Sequence, residues 1–336
     1  MMQKNNQSRR TLPEIADIWT QYINDTMSKH VLTYFLKKCK DRKVKAILKQ
    51  SIKMSEKHID TLKSMFKQEK YPIPKGFTEA DVHYEAPKLF SDHLVLAYLQ
   101  VMTLHGMSSY SLCVTTSIRS DQRRYFQQCL IETSDLYDTI VRTMLDKGIY
   151  SEPPRSTPPS GIDFIENQNY LTGWFGRKRS LNAIEISGLH YNYIKTMMKV
   201  VLEIAFSQVA QSNEVRDYLL RGIKVCEGQM EEINTLLNKD HISSPKDWQS
   251  EITNSTVPPF SDKLMLFHVV SLIAAAIGYY GAAISAATRR DIALKYSKFI
   301  AEIGLYAEDG TNLLIRNGWM EQPPMVENRK ALAKKK

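Results

Sequence analysis

The chain has 336 residues, 43% hydrophobic and 24% charged, with only 14 Gly and 13 Pro. That balance belongs to a soluble globular protein and excludes a disordered one. The length suggests two domains of the usual ~100–200 residues. The net charge is +9, and its excess gathers at the edges. Lys4, Arg9 and Arg10 lie at the start, Lys334, Lys335 and Lys336 at the end, and Arg177, Lys178 and Arg179 in one internal cluster. Such runs read as solvated tails and a solvated loop. No basic stripe interleaved with aromatics is present, so no specific nucleic-acid partner is expected.

Apolar residues at helical spacing predict four helices in the first half, over 12–40, 42–70, 91–118 and 121–147. Val44, Ile47, Leu48, Ile52, Ile59, Leu62 and Phe66 form one such stripe. Ser91 is placed to cap the third helix, with Phe90 and Val95 as a hydrophobic staple around it. Gly148 supplies the left-handed residue after the fourth, and Pro153-Pro154 then bars continuation. The first and second helices, and the third and fourth, are joined by short turns. About twenty residues containing Pro72, Pro74, Gly76 and Pro87 separate the second from the third, a length that calls for a crossover along the bundle. A four-helix bundle with one long crossover is the ferritin-like arrangement.

After a Pro- and Gly-rich linker, the pattern returns over 180–211, 214–239, 261–288 and 291–317. A shift of 170 residues superposes Phe90-Ser91-Asp92 on Phe260-Ser261-Asp262, Tyr110 on Tyr280, Arg119 and Asp121 on Arg289 and Asp291, and Glu132 on Glu302. Gly148 meets Gly318 in the same register. With one residue of slip, Tyr22 meets Tyr193, and Gln229 stands where the first half has His58. This internal repeat predicts an all-α chain of two tandem ferritin-like four-helix bundles. Residues 1–150 form the first, 151–179 the linker and 180–336 the second.

The four cysteines, Cys39, Cys113, Cys129 and Cys226, have no paired or zinc-type spacing and read as reduced thiols in helices. The polar, basic opening residues show no signal peptide, so a cytoplasmic location is expected. The apolar run 264–288 is long enough to cross a bilayer. Its counterpart in the first half carries His93, Gln100, Thr103, His105 and Ser108, so it reads as a soluble core helix rather than a transmembrane segment.

Several long motifs are distinctive. They are Leu171-Thr172-Gly173-Trp174-Phe175-Gly176, followed by Leu181-Asn182-Ala183-Ile184-Glu185-Ile186; Val257-Pro258-Pro259-Phe260-Ser261-Asp262; and Asn317-Gly318-Trp319-Met320-Glu321-Gln322-Pro323-Pro324. Through them the chain resembles, over nearly its whole length, the DUF3231-type family of spore-forming Firmicutes, whose function is uncharacterised. The resemblance implies tandem ferritin-like bundles, a kinship with spore-coat proteins and an association with spores.

A ferritin-like fold raises the question of iron or manganese. Di-metal sites of this kind draw a Glu from each of two helices and Glu-x-x-His from each of the other two. The chain contains no Glu-x-x-His. His58, Glu132, Glu185 and Glu302 are the remaining ligand candidates, each with a plainer reading as a satisfied polar residue. No phosphate loop and no nucleophile elbow occurs. Arg119/Asp121 and Arg289/Asp291 are expected to fix the turns before the fourth helices. Three functional readings follow. The first is a non-enzymatic structural or interaction protein linked to sporulation. It would have spore-coat components as partners, a capacity to oligomerise, and contacts through Trp174, Phe175, Arg177, Lys178 and Arg179. The second is a degenerate metal-binding oxidoreductase or metal-storage protein. The third is a small-molecule or lipid binder with a pocket between helices, for which the Ala- and Gly-rich helix 264–288 would leave room.

Overall fold

The computed structural model describes residues 9–173 and 178–334. Eight long helices dominate it: α1 (Leu12–Lys38), α2 (Arg42–Glu69), α3 (Asp92–Thr116), α4 (Ser120–Asp146), α5 (Ala183–Val209), α6 (Asn213–Lys239), α7 (Asp262–Ala286) and α8 (Arg290–Arg316). A short helix, α9 (Arg329–Ala333), follows. The ends differ from the sequence expectation by at most three residues, because the capping residues are themselves extended. Ser91, Asn182 and Ser261 each accept an N–H from three residues on. Gly148 and Gly318 take φ of 64° and 68°, where a Cβ would be strained.

Polar contacts at the helix ends fix the chain directions. The N–H groups of Lys40 and Asp41, between α1 and α2, donate to Asp92 at the start of α3. Arg119 N–H, before α4, donates to Glu14 at the start of α1 (2.7 Å). Helices α1 and α4 are therefore parallel, α2 and α3 run opposite to them, and segment 70–91 must travel the length of the bundle. The second half repeats this. Gln211 and Ser212 N–H donate to Asp262, and Arg289 N–H donates to Glu185. Helices α4 and α8 lack a capping side chain. Instead, both Arg119–Asp121 and Arg289–Asp291 close as two-pronged pairs, as the sequence suggests.

The two crossovers pair with each other. Antiparallel bridges join Val82 to Phe260 and Phe90 to Ile252, positions exchanged by the 170-residue repeat. His83 N–H donates to Pro259 O, and Ser91 N–H to Glu251 O. The halves thus meet about a pseudo-two-fold axis, and one hydrophobic core runs through both. A second core, around Trp19 and Phe66, lies within the first half alone. Phe35, Phe90, Phe206 and Phe260 interlock edge to face across the axis.

One further expectation changes. Arg10 is not in a solvated tail. It is 6% exposed, with bonds to Glu69 and Gln122 that tie the start of α1 to α2 and α4. Helix α7 has the length and hydropathy of a membrane span, yet Leu264, Met265, Leu266, Val269 and Ile273 are all fully buried in the protein core.

Candidate ligand cleft and its buried polar floor

On α1, Gln21 and Asp25 are one helical turn apart and face inward among Ile18, Tyr22 and Met27, at 7% and 6% exposure. Opposite them on α2 is His58, 1% exposed. Its Nδ1 lies 3.3 Å from Asp25 Oδ2. The approach is an ion pair rather than an aligned hydrogen bond, since neither atom has a partner of hydrogen-bond geometry. Tyr110 of α3 and Tyr125 of α4 stand edge-on to the imidazole at 6.0 and 6.1 Å, and Gln21 Nε2 points to the Cys129 sulfur at 3.8 Å. Burial alone would lower the His58 imidazole. The neighbouring Asp25 carboxylate, together with the Cys129 sulfur, outweighs it and raises it to about 10. His58 is therefore a buried imidazolium at neutral pH.

Buried polar atoms are almost always satisfied. Nine buried side-chain nitrogen or oxygen atoms lack a partner among the described residues, and five belong to this cluster: Gln21 Oε1, Asp25 Oδ2, both His58 nitrogens and Tyr125 Oη. The second half shows what a closed version looks like. There Thr196, Gln229, Tyr280 and Glu302 replace Asp25, His58, Tyr110 and Glu132. Tyr280 OH donates to Gln229 Oε1 (2.9 Å) and lies 3.0 Å from the Thr196 hydroxyl, while Gln229 Nε2 donates to Glu302 (3.1 Å). That network is neutral at its centre and complete.

The open cluster borders a cleft of about 440 Å³ between α1, α3 and α7. Gln21, Asp25 and Tyr110 belong to its floor, while Met102, Phe126 and Leu272 give it apolar walls. His268 lines the α7 side, with Nε2 3.3 Å from Tyr98 OH and Nδ1 unpartnered. Burial depresses His268 to about 4. His105, also lining the cleft, is depressed to about 3 by burial, with Lys195 and His268 adding to it. Both are neutral at pH 7.

A second polar group lies inside the other bundle. Lys199 and Glu203 of α5 are 4% and 0% exposed. Glu203 Oε1 accepts from Tyr306 OH (3.0 Å), its Oε2 has no partner, and burial lifts its carboxyl to about 7. Tyr306 stacks on Tyr218 at 4.2 Å.

The four metal candidates do not assemble. Glu132 Oε2 comes within 3.9 Å of His58 Nε2, but the carboxylate is held by Lys57 and Gln128. Glu302, in the other half, is held by Gln229 and Lys298. Glu185 is the capping-box carboxylate of α5, bonded to Asn182, Arg179, Thr288 and Arg289 N–H. Among the described residues, no three His, Cys, Asp or Glu side chains converge as a metal ion requires. These residues therefore do not fit a di-iron or di-manganese centre. His58, expected to be satisfied or half-exposed, is neither.

Of the proposed contact residues, Trp174, Phe175 and Arg177 lie outside the described residues. Lys178 is paired with Asp291 (2.8 Å) and Arg179 with Glu185 (2.7 Å), so both fasten the linker to the second bundle. Burial would raise the Glu185 carboxyl, but Arg179 and the backbone donors hold it at about 2. Its contribution is present above the unfolded value of 4.5 and is lost as pH falls through about 2. Glu185→Gln should destabilise the protein by about 2 kcal/mol at pH 7, as for a lost charge-assisted bond. Urea unfolding at pH 7 and pH 3 checks this, and the difference between the two proteins should shrink at the lower pH.

Sequence reading gave Cys129 only as a reduced helical thiol and missed Asp25, Lys199 and Glu203. A signal existed for the last two, charges four apart inside the apolar run 197–206. The pairing of Asp25 with His58 is visible only once α1 and α2 are packed together.

No curated protein matches the chain. A solved structure from Bacillus halodurans C-125, provisionally described as a spore coat protein, is 16% identical, covers 46% of this chain and 100% of its own, and superposes with a TM-score of 0.42. A likeness that slight carries no argument about this chain. The model of one family of proteins of unknown function matches residues 2–162 and again 169–332, one copy for each half of the fold. The chain belongs to the DUF3231 family, as a tandem pair of its unit.

Proposed function

We propose that this protein is a non-enzymatic binder of a small molecule, held in the cleft between α1, α3 and α7. One observation carries the reading. The cleft of about 440 Å³ is bordered by side chains with unsatisfied buried polar atoms, those of Gln21, Asp25 and His268. A concave apolar site with a few convergent polar groups is the usual form of a ligand pocket. The matching positions of the second half are closed by their own network, so a ligand supplies in one half what Gln229 and Tyr280 supply in the other.

The test is native mass spectrometry of protein purified from its own host without chelators. A stoichiometric small-molecule adduct is expected, and it should be lost in Ala275→Trp, which fills the cleft from α7. An adduct-free protein whose stability is unchanged by Ala275→Trp would overturn the reading. Elemental analysis of the same sample tests the alternative of a metal-binding oxidoreductase or metal store, which requires stoichiometric iron or manganese. The resemblance supports a further proposal, a structural or interaction role in sporulation with spore-coat components as partners. Normal spores after gene deletion, with no protein in sporulating cells, would refute that role.

A further inference from the structure

We propose that the cleft takes a linear aliphatic diamine or polyamine, laid along α1 with one ammonium group at Asp17 and another at Asp25. This rests on the ligand-binding reading above and names the ligand class. The first support is the charge of the lining. The chain carries +9 overall, yet no Lys or Arg lines this cleft and two carboxylates do. The two lining histidines are neutral at pH 7 for the reason given above.

The second support is spacing. Asp17 and Asp25 are eight residues apart on one helix, about 12 Å along its axis at 1.5 Å per residue. Asp17 accepts the Thr116 hydroxyl (2.8 Å), and among the described residues no cation pairs with it. Asp25 has His58 behind it, at 3.3 Å, and faces the cleft on its other side. Gln21, whose Oε1 is orphaned, lies between the two carboxylates along the same helix and lines the cleft with them. Met102, Phe126 and Leu272 supply the apolar walls that methylene groups require. Spermidine and 1,8-diaminooctane have the necessary reach. An anion would meet two carboxylates on the lining, and the nearest cation, His58, stands behind Asp25.

Calorimetric titration of the full chain at pH 7 with 1,8-diaminooctane, octylamine, octanoate and 1-octanol tests this. The diamine should bind at least ~10-fold more tightly than octylamine, the equivalent of about 1.4 kcal/mol, and octanoate should not bind. Asp17→Asn should bring the diamine down to the affinity of octylamine, while Asp17→Glu should keep most of the advantage. Asp17 lies at the cleft mouth and is partly exposed, so these variants are expected to fold, and circular dichroism confirms it. If octanoate or 1-octanol binds as tightly as the diamine, the polyamine assignment is wrong and the cleft remains a ligand site. If none of the four binds and Ala275→Trp alters nothing, both proposals fall together.

Discussion

Asp25→Asn should destabilise the protein by about 3 kcal/mol at pH 7, because it strips the counter-ion from a buried imidazolium. Folded His58 titrates near 10, against about 6.5 in an unfolded chain. The pair's contribution is therefore fully present below about pH 6.5 and is lost as pH rises through about 10. Urea denaturation of the wild type should show stability falling between pH 7 and pH 10. The Asn variant should lack that fall, since without Asp25 the imidazole gives up its proton at lower pH. The second half indicates the repair. Asp25→Thr/His58→Gln installs the residues of the neutral network at Thr196 and Gln229, and it should recover at least half of the loss. A coupling of that size between the two sites is what a shared buried pair produces. If His58 titrates near 6.5 in the wild type by NMR, the imidazolium assignment is wrong.

Gly222→Ala should cost about 3 kcal/mol, at the upper end of overpacking effects. Gly222 lies on α6 where Glu203 and Tyr306 converge, and a Cβ there would overlap both the Tyr306 hydroxyl and Glu203 Oε1. The gain in helix propensity, about 1 kcal/mol, does not offset displacing a hydroxyl that is hydrogen-bonded to Glu203 and stacked on Tyr218. Gly228 is the internal control. It lies on the same helix and is exposed, and nothing stands within 4 Å of where its Cβ would be. Gly228→Ala should therefore stabilise by about 0.5–1 kcal/mol. Thermal unfolding of the two variants separates packing from propensity. Equal shifts of the same sign would mean that the Glu203–Tyr306 contact is not packed as described.

Much of the scaffold is legible in the sequence because it depends on local rules. Ser91, Ser261, Gly148 and Gly318 mark helix ends by chemistry that acts within a few residues, and the Pro-rich stretches between α2 and α3 and between α6 and α7 require a long connection wherever they lead. The polar interior is less legible. Asp25 reads as one more polar residue until α2 sets His58 against it. Glu132 and Glu302 catch the eye because the repeat aligns them, yet their carboxylates are held at the bundle surface by Lys57 and Lys298. The linker cluster looks like a solvated basic patch because the partner of Lys178, Asp291, is distant in sequence, and Arg179 meets Glu185 only once α5 has formed. The shared core escapes notice for a related reason, since the repeat shows two units and says nothing of the face by which they join.

That join has an evolutionary consequence. Bridges that exchange Val82 with Ile252 and Phe90 with Phe260 form the kind of contact two identical chains make about a two-fold axis. A single-unit ancestor with this surface would assemble as a homodimer, and any mutation in its interior would appear twice. Fusion into one chain removes that constraint. One copy is free to keep a closed, neutral centre around Gln229 and carry the burden of folding, while the other accumulates the charged, incompletely bonded centre around His58. The asymmetry between the two interiors is the mark of a division of labour that a symmetric dimer has no means to encode.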